Sequence, residues 1–470
     1  AGPQGYQVAN SCRFNDGSSD NLTRSLGASE TSTQKGTFSY WIKRSTLSTN
    51  QITISNEVAN DNERGYIQFN TSDNFRMVDE NGIVLATNAV YRDTSAWYHF
   101  VIALDSTLGT TTDRVKLYVN GVRETSFQSS SYFNNGFPNQ NINFDILTGG
   151  QTNKNHIGKI HSSGSDLDAY LAEFVYIDGT QNAVTDFGEF NSQTGIWVPK
   201  VVTGLTFGTN GFYLNYQDSA ELGTDANGGT ALAETNLTSL DQSTDTCSTN
   251  FATLNPLVYT VNAPVYSNGN NTIVGNSSGN GSTQISTIGS SSGKFYVEVK
   301  CVAYSNSSGA AVGVVEAGEW SADSLSIASD SYFYGTSSGY GYKISNGNKV
   351  NNSTGGSAYG ASYTTGDIIG IALDLDNNKL YFSKNGVWQN SGDPTSGATG
   401  TGSAFTLSSG TYNFTSYIYY NTFSFAWNFG SPSFAISSGN ADSNGFGNFE
   451  YAVPTGFLSL NTKNLAAVLA

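Results

Sequence analysis

The sequence predicts an all-β protein with two antiparallel β-sandwich domains, and three observations support this fold class. The same hairpin pattern occurs twice, in DRVKLYVNGVRE (113–124) and in NNKLYFSKNGVW (377–388). In each segment, alternating apolar and polar residues lead into an Asn-Gly pair. Asn and Gly best tolerate the positive φ of both central residues in a type I′ turn. The chain has 470 residues, which is more than one hydrophobic core usually serves. Aromatic residues make up 13% and charged residues only 12%, a composition typical of short strands joined by turns.

Charge and cysteine content limit the partners that we expect. The formal net charge is -16 and Lys and Arg form no cluster, so nucleic acid is not expected as a partner. No run of about 20 apolar residues occurs, so no membrane insertion is expected. The first residues also lack the basic and apolar regions of a signal peptide. Cys12, Cys247 and Cys301 are an odd number without CxxC spacing, which predicts at least one free thiol.

The first half of the chain reads as consecutive antiparallel strands. The predicted strands are VANSCRFN (8–15), GTFSYWIKR (36–44), YIQFN (66–70), FRMVDENGIVLAT (75–87) with a turn at Asn81-Gly82, AWYHFVIALD (96–105), VKLYVNG (115–121) and DAYLAEFVYIDGT (168–180). Strands at this spacing favour a sandwich of two sheets. The ordered segments RFNDGSSD, FSYWIKR, SAWYHFVIALD, DRVKLYVNG and LAEFVYIDG resemble the laminin-G-like, concanavalin A-like jelly roll. We assign this domain to residues 1–216.

The second half returns to a two-residue period after a polar stretch. Residues 217–255 are rich in Thr, Ser, Asn, Asp and Gly, which predicts a linker or an extended loop. The segments that follow are KFYVEVKCVAY (294–304), AAVGVVEAGEW (310–320), GYGYKISNGNK (339–349), YTTGDIIGIALDLDNNKLYFSKNGVW (363–388) and FSFAWNFG (423–430). This series resembles an SPRY domain, another concanavalin-like sandwich. We assign it to residues 256–445, with a C-terminal tail segment at 446–470.

Four further segments resemble the virion proteins of tailed phages from marine and other aquatic environments. They are DFGEFNSQTGIWVPK (186–200), GTNGFYLNYQD (208–218), FATLNPL (251–257) and YAVPTGFLSLNTKNL (451–465). The resemblance implies a surface-exposed virion structural protein, such as a tail fibre, head fibre or decoration, with other virion proteins as partners. It also implies many copies per particle, so that weak binding to host or environmental polysaccharide or to a cell-surface glycan gains avidity. An extracellular location is the alternative.

Catalysis is not expected. A retaining glycosidase needs two carboxyl groups about 5 Å apart, and the Glu-x-Asp-x-x-Glu pattern that supplies them on one strand is absent. The nearest carboxylate cluster, Glu57, Asp61 and Glu63, is interpreted as a turn. His99, His156 and His161 form no HExxH or Cys-His pairing and are interpreted as structural residues. A secreted polysaccharide-active enzyme of glucanase or lyase type and a bacterial adhesin remain the alternatives.

A structural Ca²⁺ ion is the metal that the jelly-roll resemblance implies. Such folds bring the first and last strands side by side, where carboxylates and backbone carbonyls hold Ca²⁺. Asp16 and Glu173 stand at positions that match this arrangement, and the Gly36 carbonyl is the third predicted ligand. Asp374 and Asp376 have the i, i+2 spacing of one sheet face, but we interpret them as turn residues.

Carbohydrate binding usually depends on an aromatic ring that stacks on a sugar. Trp97, Trp320 and Trp388 lie at predicted strand ends or loop edges and are the candidate platforms. Trp41 and Trp427 alternate within apolar strands, which predicts that they belong to the core.

Overall fold

The protein forms two compact units, each described by itself below. The computed structural model describes residues 5–26, 29–58, 62–80, 82–129, 137–150, 153–160, 164–258, 263–276, 281–305, 309–317 and 332–468. Unit 1 spans Ala1–Ser248 and unit 2 spans Thr249–Ala470. Within these described ranges, no helix is long and apolar enough to cross a membrane.

Unit 1 is built almost entirely of strands. Its described strands are β1 (Ser11–Phe14), β2 (Asn21–Ser25), β3 (Lys35–Arg44), β4 (Gln51–Val58), β5 (Asn62–Phe69), β6 (Asn74–Asp79), β7 (Gly82–Val90), β8 (Tyr98–Asp105), β9 (Val115–Val119), β10 (Val122–Arg123), β11 (Lys154–Ile157), β12 (Ala169–Asp178), β13 (Gly188–Phe190), β14 (Trp197–Pro199), β15 (Phe212–Leu214), β16 (Ala233–Thr235) and β17 (Gln242–Ser243). Short 3-10 turns lie at Asp16–Ser18, Thr111–Asp113, Asp145–Leu147, Val184–Asp186 and Ser239–Asp241.

Two antiparallel sheets of unit 1 enclose its core. The β3 sheet has the order β10-β9-β8-β3-β12-β1-β17, with β15 beside β12, and the β4 sheet has the order β16-β2-β11-β4-β5-β6-β7. Phe38, Tyr40 and Ile42 alternate along β3 and all point into the core. The Tyr40 ring stacks on Phe174 of β12 with centroids 5.0 Å apart. Period-two alternation therefore places one face of the β3 sheet inward, as the sequence predicts.

The opposite face of the β3 sheet is covered rather than open to solvent. Its outward side chains include Trp41 and Tyr170, which form a buried cluster with Trp97 and with Trp197 of the β13-β14 hairpin. A second buried cluster on this face joins Val175 and its neighbours to loop residues after the hairpin. The segment 184–207, which follows β12, is thus part of unit 1 and shields this face of the β3 sheet.

The structure differs from the linker predicted at residues 217–255. β16 pairs with β2 and β17 pairs with β1, so this stretch completes both sheets of unit 1 up to residue 248. Leu222, Leu232 and Leu237 are buried in the core of the unit. Strands of two or three residues leave no readable periodicity, and the polar residues between the leucines hid them in the sequence.

Unit 2 repeats the architecture of two stacked antiparallel sheets. Its described strands are β18 (Val265–Ser267), β19 (Thr272–Val274), β20 (Ser282–Ser290), β21 (Lys294–Ala303), β22 (Ala311–Glu316), β23 (Gly339–Lys343), β24 (Asn348–Val350), β25 (Ser357–Ala358), β26 (Ile368–Asp374), β27 (Lys379–Lys384), β28 (Val387–Trp388), β29 (Phe405–Thr406), β30 (Tyr412–Ile418) and β31 (Ser424–Asn428), and a helix, α1 (Thr462–Val468), follows them. Short 3-10 turns lie at Phe333–Gly335, Gln389–Ser391 and Pro394–Thr399.

In unit 2 the β21 sheet and the β30 sheet face each other. The β21 sheet has the order β18-β19-β31-β21-β26-β27-β28, with β29 beside β27, and the β30 sheet has the order β20-β30-β22-β23-β24-β25. The tail predicted at 446–470 packs on unit 2, because Phe449, Phe457 and Leu460 are buried. Glu298 of β21 fixes this segment by accepting the backbone N–H groups of Glu450 and Tyr451 at 2.9 and 2.8 Å.

The two predicted Asn-Gly hairpins are confirmed, and they have the same geometry. Asn120 and Gly121 have φ values of 48° and 78°, and Asn385 and Gly386 have 48° and 79°. In each hairpin the Asn side chain accepts a backbone N–H from the preceding neighbour strand, at His99 in unit 1 (2.8 Å) and at Ile368 in unit 2 (2.9 Å). The turn predicted at Asn81-Gly82 falls partly outside the described residues, because Asn81 is not among them.

Candidate functional site

The structure does not bring the three predicted calcium ligands together. Asp16 follows β1, whose Phe14 lies opposite Ala169 at the start of β12. Glu173 lies in the middle of β12, and Gly36 lies opposite Asp178 at its far end. At about 3.3 Å per strand residue, the five or six residues that separate Glu173 from the levels of Gly36 and Asp16 correspond to roughly 15 to 20 Å along the strand. The prediction of one site formed by Asp16, Gly36 and Glu173 is therefore wrong.

Glu173 instead anchors two tyrosines on the covered face of the β3 sheet. Its carboxylate accepts hydrogen bonds from Tyr6 at 3.3 Å and from Tyr213 at 2.5 Å. A register shift in β12 between Ala172 and Val175 gives Glu173 a φ of 50°, which turns its side chain toward them. Burial raises the pKa of Glu173 to about 7.

In the second predicted acidic pair, Asp374 ends β26 and Asp376 lies in the turn that follows. Asp374 is buried, pairs with Lys294 at 3.0 Å and accepts the backbone N–H of Asn377 at 3.0 Å. Asp376 accepts the backbone N–H of Gly293 at 2.8 Å. Among the described residues, no three His, Cys, Asp or Glu side chains are grouped closely enough to hold a metal ion.

The three tryptophans predicted to be sugar-binding platforms differ in how far the structure exposes them. Trp97 is only 9% exposed, and its indole N–H donates to Asp245 at 3.2 Å, so it is a packing residue and its prediction as a platform is wrong. Trp388 is half-buried and packs edge-on against Tyr296 with centroids 6.3 Å apart. Trp320 lies outside the described residues. Trp41 and Trp427 are buried, as predicted.

His99 is held in a tautomer that cannot act as a base toward its neighbouring serine. The Trp197 indole N–H donates to His99 Nδ1 at 2.9 Å, and Ser39 Oγ lies 2.9 Å from Nε2. Burial lowers the pKa of His99 to about 3, so the ring is neutral. Indole nitrogen only donates, so the single ring proton is on Nε2 and points at Ser39. This pair therefore stabilises the covered face of the sheet.

His156 belongs to a different arrangement, a chain of carboxylate, imidazole and hydroxyl groups. Its Nε2 lies 2.6 Å from Glu57 Oε2 and its Nδ1 lies 2.9 Å from Thr23 Oγ1. The three residues lie on adjacent strands, because β11 pairs with both β2 and β4. Burial lowers the pKa of His156, although the hydrogen bond to Glu57 opposes this shift. Of the other predicted groups, Asp61, His161 and the side chain of Glu63 lie outside the described residues.

A row of tyrosines, which the sequence analysis missed, leads from the interior of unit 2 to solvent. The tyrosine row comprises Tyr334, Tyr332, Tyr417, Tyr419 and Tyr420. Tyr332 lies 5.1 Å from Tyr334 and 4.5 Å from Tyr417 between ring centroids. Tyr419 packs against the buried cluster that contains Tyr334 and Tyr417, its ring centroid lies 4.1 Å from that of Tyr420, and Tyr420 is exposed. The row therefore runs over the outer face of the β30 sheet and ends beyond β30.

Tyr420 is held in a strained backbone conformation. Its φ is 61°, in the left-handed region that bulky residues rarely adopt. The backbone of Gly275 lies so close that an added Cβ would be 1.9 Å from the Tyr420 carbonyl oxygen. Asn421 and Thr422 beside it are also exposed, and Thr422 Oγ1 lies 2.6 Å from Ser305 Oγ. This loop presents one aromatic ring among side chains that can donate and accept hydrogen bonds.

One signal in the sequence could have indicated this surface. The run YIYYN (417–421) places an extra tyrosine and then Asn directly after a strand pattern. Alternation sends Tyr417 outward and Ile418 inward, so the tyrosines that follow lie at the strand's end.

Comparison with known proteins identifies the two domains. Residues 16–176 match the concanavalin A-like lectin/glucanases superfamily, and residues 294–411 match the SPRY domain. A Ran-binding proteins 9/10 homolog of Drosophila melanogaster is 44% identical over 48 residues, which are 10% of this chain and 5% of that protein. The chain therefore spans a small fraction of that relative's length.

Two solved structures are similar to part of the chain. The SPRY domain of human HERC1 is 19% identical, covering 37% of this chain and 96% of that one, with a TM-score of 0.29. A further human SPRY domain is 17% identical, covering 36% and 94%, with a TM-score of 0.26. The two family matches and the observed antiparallel sheets confirm the all-β prediction of a concanavalin A-like domain followed by an SPRY domain.

Proposed function

We propose that this chain is a non-enzymatic binding protein that attaches to polysaccharide or cell-surface glycan through the exposed end of the tyrosine row. The observation that carries the proposal is Tyr420, an exposed aromatic ring held at a φ of 61°. A non-glycine residue in this region costs on the order of 1–3 kcal/mol, and such residues cluster at functional sites. Here the conformation displays the ring beside Asn421 and Thr422.

The chemistry of this surface suits a sugar. A tyrosine ring offers a flat apolar face with a polar tip and loses little rotamer entropy on binding. Asn421 and Thr422 can hydrogen-bond to the hydroxyl groups of a pyranose that stacks on the ring. A shallow contact of this size is weak, so useful retention requires many copies.

The resemblance of residues 186–200, 208–218, 251–257 and 451–465 to tailed-phage proteins supports a finer proposal. We place the chain on the surface of a virus particle, as a tail fibre, head fibre or decoration, in contact with other virion proteins. Several copies per particle would then supply the avidity. An extracellular bacterial adhesin would use the same surface.

A hydrolase that acts on polysaccharide is the second candidate. It is favoured by the Glu57–His156–Thr23 chain, since an imidazole held by a carboxylate can take the proton of a hydroxyl group. A hydroxyl nucleophile attacks acyl groups, so the substrate class would be an ester-substituted polysaccharide.

The experiment is retention of the full chain on an array of host-derived and algal polysaccharides, with and without Ca²⁺. Release of reducing ends and of acyl groups is measured on the same array. We expect retention without release, and we expect Tyr420→Ala to weaken retention about three- to tenfold, the value of one aromatic contact. Phe190→Ala, at an exposed ring of unit 1, is the matched control and keeps wild-type retention.

The outcomes separate the candidates. Equal retention by wild type and Tyr420→Ala would overturn the proposed surface. Acyl release that disappears in His156→Gln would establish the hydrolase, and loss of retention without Ca²⁺ would show that a metal takes part.

A further inference from the structure

Lys43 and Asp245 form a buried ion pair on the covered face of the β3 sheet. Lys43 Nζ lies 2.8 Å from Asp245 Oδ2, and each side chain is 1% exposed. Lys43 belongs to β3, and Asp245 lies two residues beyond β17. In the other lysine–carboxylate pairs between described residues, the lysine side chain is at least 24% exposed, as in Lys294–Asp374. The Lys43 amine is thus unusual in being held against a carboxyl group away from water.

The surroundings fix both groups and favour an uncharged product. The Trp97 indole N–H donates to Asp245 Oδ1 at 3.2 Å, and the Tyr170 ring centroid lies 5.8 Å from Lys43 Nζ. The backbone of Asp245 is held at both ends, because its N–H donates to Ser243 Oγ at 3.1 Å and its carbonyl accepts from Ser11 Oγ at 2.6 Å. Two charges in such an apolar site lose their hydration, a cost that their attraction only partly offsets.

We propose that Lys43 and Asp245 condense into an intramolecular isopeptide bond. The ammonium first transfers a proton to Oδ2 along the existing contact, which leaves a neutral amine next to a carboxylic acid. The bond between Nζ and Cγ then forms, while Trp97 Nε1–H stabilises the negative charge that develops on Oδ1.

The step balances with the atoms of the pair alone. A second proton moves from Nζ to Oδ2, the bond between Cγ and Oδ2 breaks, and this oxygen leaves as water. The product is a neutral secondary amide, and neither an oxidant nor any co-reactant is needed. The fold accelerates the reaction because it holds the two reacting groups in contact.

The bond would tie a central strand of unit 1 to the end of the segment that closes both of its sheets. Unfolding of that segment could then no longer separate it from β3. This role is independent of any glycan, so it does not rest on the proposed function.

The test is the intact mass of the full purified chain under denaturing conditions, followed by a protease peptide map. We expect the wild type to be lighter than its sequence by the mass of one water, and we expect one cross-linked peptide that contains both Lys43 and Asp245. Lys43→Arg keeps the positive charge beside Asp245, so it is expected to fold and to have its full sequence mass. Asp245→Ala is also expected to have its full sequence mass.

Two results would overturn the assignment. One is a wild-type chain with its full sequence mass, which would leave an ordinary ion pair. The other is a mass deficit of one water that persists in Lys43→Arg, or that the peptide map assigns to another peptide, such as one that contains Asp16-Gly17 or Asp178-Gly179. The peptide map of the wild type decides the matter even where a variant fails to fold.

Discussion

The indole ring of Trp197 lies directly over Gly121, so close that a Cβ on this glycine would be 2.2 Å from the ring. In unit 2 the Tyr451 ring lies over Gly386 in the same way, with a closest approach of 2.6 Å. In both units a segment that comes after the hairpin in sequence thus packs an aromatic ring on the glycine of the Asn-Gly hairpin. The glycine serves two purposes there, because it adopts the positive φ of the turn and leaves room for the ring.

Gly121→Ala is expected to destabilise unit 1 by about 1–3 kcal/mol or more, because the new methyl group meets both an unfavourable φ and the Trp197 ring. Chemical denaturation of the full chain measures the change. Gly109→Ala is the control, since nothing lies within 4 Å of its added Cβ. Equal unfolding midpoints for the two variants would contradict the expected role of the contact.

Arg44→Ala is expected to cost about 3–5 kcal/mol of stability, because it leaves Asp73 buried without its main partner. Arg44 is fully buried, lies 3.1 Å from Asp73 and is 4.4 Å from the Phe69 ring centroid. Arg92 contacts the same Asp73 at 2.9 Å, but its side chain is 56% exposed. Arg92→Ala should therefore cost less than about 1 kcal/mol. Urea unfolding measures both variants. A comparable loss of stability in both would show that burial of the arginine does not decide how much its ion pair with Asp73 contributes to stability.

The buried Glu173 is expected to make unit 1 less stable as the pH rises. Its pKa is raised from 4.5 to about 7 in the folded protein, so the folded state holds the proton more tightly. The contribution of Glu173 to the free energy of unfolding is complete below pH 4.5 and is lost as the pH rises through 7. The loss is on the order of 3 kcal/mol. Glu173→Gln carries no titrating group, so it should lose less stability than the wild type between pH 5 and pH 8.

The control for this pH dependence is Glu189→Gln, the same substitution at an exposed position. Its stability should follow the wild type at every pH. If the stability of Glu173→Gln also follows the wild type at every pH, the group that causes the pH dependence is not Glu173.

Tyr420→Gly separates backbone strain from binding. Glycine relieves the strain of the positive φ, which raises the free energy of unfolding, but it also adds entropy to the unfolded chain, which lowers it. We therefore expect the free energy of unfolding either to rise or to fall by no more than about 1 kcal/mol. Glycan retention should nevertheless fall as it does for Tyr420→Ala. A marked loss of stability would mean that the ring contributes to packing more than to a binding surface.

Local patterns were enough to predict the strands that end in Asn120-Gly121 and Asn385-Gly386, since hairpins join residues close in sequence. They were not enough to place Trp97, whose indole N–H reaches Asp245 across 148 residues. The predicted calcium site failed for a related reason: Asp16 follows β1, Gly36 lies in β3 and Glu173 lies in β12, and nothing in their local sequence indicates the distances between them. Tyr420 was missed because an exposed aromatic ring follows no periodicity.

The all-β class, the two sandwiches and the inward alternation of residues such as Phe38, Tyr40 and Ile42 follow from local sequence patterns alone. These features depend on turn chemistry and on the two-residue period of a strand, which act over a few neighbouring residues. Long-range packing, in contrast, covers the outer face of the β3 sheet, brings Tyr6 and Tyr213 to Glu173, and brings Lys43 to Asp245. Each of these contacts joins residues 40 or more positions apart, where packing of whole sheets and loops fixes the partner and no local propensity does.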